Sequence, residues 1–217
     1  MKIHLRDLEL ARQDPAAYLN KIERPKTGFG KRSKGSVFLQ AIYEFHKPQN
    51  SLAGALEYLT KSFEQFKNNP ASLQIYQDRL ITYAHEFEKL GNTMIKPKDN
   101  LTLSLPNEFR GIAKVYGQIS RIDLAPEGYH VWLFERVTRD WRDEIRFPLI
   151  QSAYTQSLLQ NMFAYDDEVK VGVYDFSTSS YTLFRYTEQE IEEAEKILFG
   201  LLRQLIAIES QRRSEEP

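Results

Sequence analysis

Basic side chains gather in one glycine-rich segment near the start of the chain. The segment contains Lys26, Phe29, Lys31, Arg32 and Lys34, with glycine at positions 28, 30 and 35. Lysine and arginine neutralise phosphate groups, and an aromatic ring on a mobile backbone can stack on a base. Residues 26–34, the basic loop, are therefore predicted to bind nucleic acid. The alternative is a solvated surface loop.

Other residue types that carry chemistry do not form recognisable motifs. The chain has no cysteine, which excludes disulfides, thiolate metal sites and a cysteine nucleophile. A serine-rich turn at 177–180 has no accompanying histidine and aspartate motif, so it does not indicate a nucleophilic serine. None of the histidines has the helical pair spacing of a zinc site. They are His4, His46, His85 and His130.

The overall composition is that of an ordinary folded protein. The 217 residues include 29 Lys plus Arg and 30 Asp plus Glu, so the net charge of −1 excludes a histone-like nucleic-acid binder. No run approaches the roughly 18 apolar residues that a membrane span needs. Because the first residues also lack an apolar signal region, we expect a soluble, cytoplasmic protein of a prokaryote or virus with no membrane partner.

Apolar spacing of three and four residues predicts helices through the first part of the chain. Ser51 is suited to capping one of them, and Gly91 to ending another. Asp14-Pro15 should interrupt the first helix. The predicted helices are 7–22, 36–46, 51–67 and 71–90.

Alternation of apolar and polar residues begins after residue 98 and predicts strands. The first three strands should form an antiparallel meander, and the last two a hairpin. The predicted strands are 100–105, 112–124, 129–137, 168–176 and 181–186. Helices are predicted at 147–163 and after Thr187, where Glu190 completes a capping box.

This order of elements predicts an α/β protein, close to α+β in character. We expect a central mixed sheet flanked by helices, with the helical N-terminal part covering one side. The chain is predicted to be a single domain, 1–217, with a helical part at 1–98 and a sheet–helix core at 99–217.

The element order and several short motifs resemble the RecB-like branch of the PD-(D/E)XK nuclease superfamily. Residues 117–123 read Gly-Gln-Ile-Ser-Arg-Ile-Asp, similar to the family's Gly-x-Ile-Asp-Arg strand. Residues 148–154 and 171–175 resemble the later helix and strand motifs. The resemblance implies a restriction-endonuclease-like core and, in active members, hydrolysis with Mg²⁺ or Mn²⁺ held by two carboxylates.

The chemical positions of that family are not kept here. Its metal-binding aspartate falls on Ser120, and its Asp-x-Lys falls on Leu133 and Glu135, or on Phe134 and Arg136 after a one-residue shift. The family histidine falls on Leu39, because Gly35 matches its motif glycine. The candidates for a residual site are Ser120, Asp123, Glu135, Arg136, Gln151 and Tyr154.

The resemblance thus implies a catalytically degenerate nuclease fold with no expected cofactor. It would be a DNA- or RNA-associated protein, or an assembly subunit of a larger complex, in DNA repair, recombination, mobile-element or phage-defence systems. One alternative is an active, divergent nuclease that uses Mg²⁺ or Mn²⁺ at Glu135, with Asp123 or Glu108 as second carboxylate. Another is a protein–protein adaptor. Glu135 itself has a simpler interpretation, as a surface carboxylate paired with Arg136 or Arg121.

Overall fold

The computed structural model describes residues 1–23, 33–66, 70–136, 140–160 and 168–215. Within these residues, seven helices and eight strands form a mixed α/β structure, as the sequence predicts. The helices are α1 (Leu8–Gln13), α2 (Pro15–Glu23), α3 (Lys34–Phe45), α4 (Leu52–Phe63), α5 (Pro70–Leu90), α6 (Arg146–Gln160) and α7 (Glu188–Glu215).

The strands form two mixed sheets. One has three strands in the order β1-β4-β3, and the other has five in the order β2-β5-β6-β7-β8. The β1–β4 and β6–β7 pairs are parallel, and the other pairs are antiparallel. The strands are β1 (Lys2–His4), β2 (Thr93–Lys96), β3 (Asp99–Thr102), β4 (Lys114–Ile119), β5 (Arg121–Ala125), β6 (Gly128–Glu135), β7 (Glu168–Asp175) and β8 (Ser180–Phe184).

One central sheet is expected from the sequence, whereas the strands form two. The segment 112–124, predicted as a single strand, is two strands that meet at Ser120 and belong to different sheets. Residues 119–123 are all buried, and the apolar positions Ile119 and Ile122 are three residues apart, so the strict alternation of a single strand is interrupted at the change of sheet. In addition, β1 and β2 lie in the part predicted to be only helical.

Several helix ends are fixed by the polar residues that the sequence singles out. Ser51 Oγ accepts a hydrogen bond from Gly54 N at 3.2 Å, and α4 begins there. The capping box of α7 is also confirmed, because Thr187 N donates to Glu190 Oε2 at 2.7 Å. Among the described residues, no helix is both long and apolar enough to cross a membrane.

Side chains from the two faces of the five-stranded sheet enter two separate cores. Val131, Leu133 and Val171 pack in a core with residues of α6 and α7, and we call this side the α6 face. The intervening residues Trp132 and Phe134 pack in a second core with residues of α3, α4 and α5, on the α3–α5 face. Strand alternation produces this division. The helical part therefore covers one side of the sheet, as expected.

Candidate functional site

The end of β6 brings Glu135 against the first residue of α6. Arg146 Nη1 donates to Glu135 Oε1 at 2.8 Å, and Arg146 Nε donates to Glu144 Oε2 at 2.6 Å. The arginine is only 1% exposed, and its guanidinium lies 4.8 Å from the ring centre of Phe147. Glu135 thus has a fixed cationic partner inside the protein. The expected surface pairing with Arg136 or Arg121 is wrong.

Ser120 occupies the junction between β4 and β5 and is also buried. Its Oγ accepts a hydrogen bond from Phe134 N at 3.0 Å, and its backbone N donates to Trp132 O at 2.9 Å. The hydroxyl therefore completes the backbone pairing of β6 at the point where the neighbouring strand bends. This oxygen is committed to holding the two strands together.

The residues at this position do not fit a catalytic divalent cation. Such a cation needs several oxygen ligands, with carboxylates foremost. Ser120 offers a neutral oxygen that is already engaged, Leu133 is an apolar core residue, and Glu135 is bound to the buried guanidinium of Arg146. Across the described parts of the chain, no three histidine, aspartate or glutamate side chains come together as a metal-binding group.

The two carboxylates considered as partners of Glu135 are engaged elsewhere. Asp123 is fully buried on the α3–α5 face, where Arg121 Nε donates to its Oδ1 at 2.5 Å. Its other oxygen accepts from Trp132 Nε1 at 2.9 Å. Glu108 accepts from Arg203 Nη2 of α7 at 2.7 Å. The structure therefore does not join either residue to Glu135.

Gln151 and Tyr154 fasten α6 to its neighbours. The Gln151 amide donates to Tyr186 O and accepts from Tyr186 N, both at 2.8 Å, which fixes the segment ahead of α7. Tyr154 Oη donates to Asp99 Oδ2 of β3 at 2.7 Å. Burial, reinforced by this carboxylate, raises the pKa of the Tyr154 phenol. Gln151 thus binds the segment before α7, and Tyr154 binds β3.

Most of the basic loop lies outside the described residues. This applies to Lys26, Phe29, Lys31 and Arg32. Lys34 is described, and it is the first residue of α3, with Nζ donating to Ser72 Oγ of α5 at 3.1 Å. Lys34 thus lies at the junction of the basic loop with α3.

Two further arginines lie around the end of β6, beside that junction. The Arg136 guanidinium covers Gly35 so closely that a Cβ at residue 35 would lie 1.4 Å from Arg136 Nη1. Arg6 Nη2 donates to Phe134 O at 3.4 Å. Together with Lys34, they form a basic rim of three residues at this end of the sheet. Arg136 is considered from the sequence as a residual-site residue and as a partner of Glu135, whereas Arg6 is not singled out.

A buried polar network on the α3–α5 face was also missed by sequence reasoning. His46 Nε2 lies 2.6 Å from Tyr83 Oη, and Arg121 Nη1 lies 3.2 Å from the same His46 nitrogen. Burial and the nearby guanidinium lower the pKa of His46 to about 3, so the ring is neutral at neutral pH. The only available signal was Arg121 and Asp123, two charged residues on one face of an otherwise apolar strand.

Comparisons with known proteins assign this chain to no family. No protein-family model matches it, and no curated protein matches it. Among solved structures, the crystal structure of SSO0001 matches with a TM-score of 0.32 and 6% identity, over 91% of this chain and 84% of that chain. A TM-score this low does not define a shared fold, so the similarity supports no functional statement.

Proposed function

We propose that this chain is a catalytically degenerate, nuclease-like protein that binds nucleic acid without cleaving it. The observation that carries the proposal is the buried Arg146 guanidinium bound to Glu135. The resemblance of residues 117–123 to a RecB-like strand supports the nuclease-like assignment. In that family the metal-binding carboxylate of this strand falls on Leu133 or Phe134, so Glu135 is a carboxylate one or two residues beyond that position.

Electrostatics explain why this arrangement opposes cation binding. Two unit charges 4 Å apart interact by about 4 kcal/mol near a protein surface, so a divalent ion would be repelled by a guanidinium at that distance by about 8 kcal/mol. Arg146 already supplies positive charge to Glu135 through a charge-assisted hydrogen bond. The arginine thus replaces the cation as the partner of this carboxylate, but it cannot activate water as a metal does.

Nucleic-acid binding is supported by the positive charge around the same end of the sheet. The basic rim of Arg6, Lys34 and Arg136 continues in sequence into the basic loop. Arginine and lysine at such positions neutralise phosphates whatever the base sequence. The resemblance suggests DNA or RNA as partner and a subunit role in DNA repair, recombination, mobile-element or phage-defence complexes.

Retention and cleavage of labelled DNA, measured together, test this function. The protein is incubated with single- and double-stranded DNA at low salt, with Mg²⁺ or Mn²⁺ added. We expect retention without cleavage, and at least tenfold weaker retention for the double variant Lys31→Ala/Arg32→Ala. A control double variant, Lys61→Ala/Lys196→Ala, removes two exposed lysines from α4 and α7 and should leave retention unchanged.

Two results would overturn the proposal. Cleavage that disappears in Glu135→Ala would establish the active, divergent nuclease. Absence of retention at low salt would remove nucleic acid as a ligand and leave the protein–protein adaptor.

A further inference from the structure

A cleft of about 430 Å³ opens beside the buried polar network on the α3–α5 face. Its walls come from the end of α3, the start of α4, the last turns of α5, and the strands β2 and β5. The apolar part of its lining includes Phe45, Leu52, Phe87 and Met94. This volume lies within the range of small-molecule sites in proteins, which are mostly apolar with a few placed polar groups.

Arg121 supplies the placed polar group. It lines the cleft although it is only 4% exposed. Its Nε and Nη1 are engaged by Asp123, His46 and Tyr83, whereas Nη2 donates to no acceptor among the described residues. The guanidinium carbon also lies over the Phe87 ring, 4.1 Å from its centre. A rigid donor with free N–H groups is therefore available to a ligand in the cleft.

The charges around the cleft favour a neutral ligand over an anion. The charge of Arg121 is balanced by the Asp123 carboxylate, which is itself fixed by Trp132 Nε1. Glu88, an exposed residue of α5, contributes a negative charge to the lining. A ligand suited to these groups has an acceptor for Arg121, a donor for Glu88 and a flat apolar body.

We propose that this cleft binds the lactam edge of a heterocyclic base. The ring carbonyl would accept from Arg121 Nη2, the adjacent ring N–H would donate to the Glu88 carboxylate, and the ring would lie against Phe45 and Phe87. Guanine and uracil both carry this edge, and adenine does not. The inference rests on the proposed function, because an unstacked base of a bound nucleic acid is the natural source of such a group.

Calorimetric titration of the full chain with guanosine, uridine and adenosine tests the inference without any contribution from phosphate. We expect saturable binding of guanosine, uridine or both, with adenosine at least tenfold weaker. Equal binding of adenosine, or no saturable binding of any of the three nucleosides, would overturn it.

Two variants separate the cleft from general effects on folding. Glu88→Gln changes one exposed carboxylate and should weaken nucleoside binding at least tenfold, whereas Glu64→Gln, outside the cleft, should not. Met94→Trp fills the cleft and should abolish binding while the circular dichroism spectrum stays that of the wild type. Unchanged nucleoside affinity in folded Glu88→Gln and Met94→Trp would contradict the assignment.

Retention of DNA is measured separately on the same samples. Retention without nucleoside binding would overturn the cleft and leave the proposed function intact. Nucleoside binding without retention would do the reverse.

Discussion

The Arg146 guanidinium binds the carboxylates of Glu135 and Glu144 while it is almost fully buried. Taking these charges out of water is costly, and the cost is offset only while the pairing is complete. One terminal nitrogen, Nη2, is buried without a hydrogen-bond partner among the described residues. Natural proteins keep such groups rarely. Glu135 and Glu144 thus share the Arg146 guanidinium as their cationic partner.

Arg146→Ala is expected to lower the free energy of unfolding by about 3–5 kcal/mol, because it removes the buried cation that Glu135 and Glu144 both bind. Urea unfolding followed by circular dichroism measures the change. Arg203→Ala removes an exposed partner of Glu108 and should cost less than about 1 kcal/mol. Equal costs for the two variants would show that the buried pairing has no special role.

His46 gives the protein a defined acid sensitivity. Its pKa is lowered from 6.5 to about 3 by burial first and by Arg121 second. Between these values the unfolded chain binds a proton that the folded protein does not, so stability rises with pH. The stabilisation is complete above about pH 6.5 and declines progressively as the pH falls toward 3.

Between pH 7 and pH 5, the wild type should therefore lose about 2 kcal/mol more unfolding free energy than His46→Gln. Urea unfolding at the two pH values measures both losses. His85→Gln, which removes an exposed histidine of α5, should keep the wild-type loss. If His46→Gln also keeps it, the His46 ring does not cause the acid sensitivity.

At the scale of elements, the long helices and central strands could be predicted from the sequence. Their signals are local, since Ser51, Thr187 and Glu190 define caps and the apolar spacing defines faces. The short strands β1 and β2 could not be predicted. They have three and four residues and exist through pairing with β4 and β5, which lie far away in sequence.

The candidate site was also predictable only in part, because sequence motifs report local patterns and not contacts between distant residues. The resemblance to a nuclease strand motif singles out Ser120 and Glu135 from the sequence. Their partners were not predictable, because Arg146 reaches Glu135 only after the chain has turned from β6 into α6. The network around His46 joins α3, α5 and β5, and no spacing within one element reveals it.

Close packing between β6 and β7 predicts that alanine is tolerated differently at two glycines, Gly172 in β7 and Gly200 in α7. A Cβ at Gly172 would lie 2.4 Å from ring atoms of the buried Trp132, so Gly172→Ala must displace the ring. We expect a loss of about 1–3 kcal/mol. Gly200→Ala in α7 meets nothing within 4 Å and should stabilise the protein by up to about 1 kcal/mol.

Thermal and urea unfolding of the two glycine variants provide the measurement. Opposite signs are expected. A stable Gly172→Ala protein would mean that Trp132 can move, and the packing of the α3–α5 face would then be looser than described.

At the scale of the whole molecule, basic and acidic residues are almost equal in number. The net charge is −1, so the proposed attraction of nucleic acid would depend on local positive charge, for which the basic loop and the basic rim are the candidates. Four basic residues of the loop, Lys26, Lys31, Arg32 and Lys34, define the expected contacts. Binding should therefore be weaker and less salt-sensitive than that of a strongly basic protein.

For about four phosphate contacts, affinity for single-stranded DNA should fall roughly 50-fold between 50 and 200 mM salt. Fluorescence anisotropy of a labelled oligonucleotide measures this slope. A binding constant that does not change with salt would exclude phosphate neutralisation as the source of affinity.

The proposal that Arg146 takes the place of a catalytic cation is tested most directly by titrating the protein with Mn²⁺ and following the free ion by electron paramagnetic resonance. We predict no saturable site whose occupancy depends on Glu135, so the wild type and Glu135→Ala should give the same titration. One Mn²⁺ bound per chain by the wild type and lost in Glu135→Ala would contradict the account.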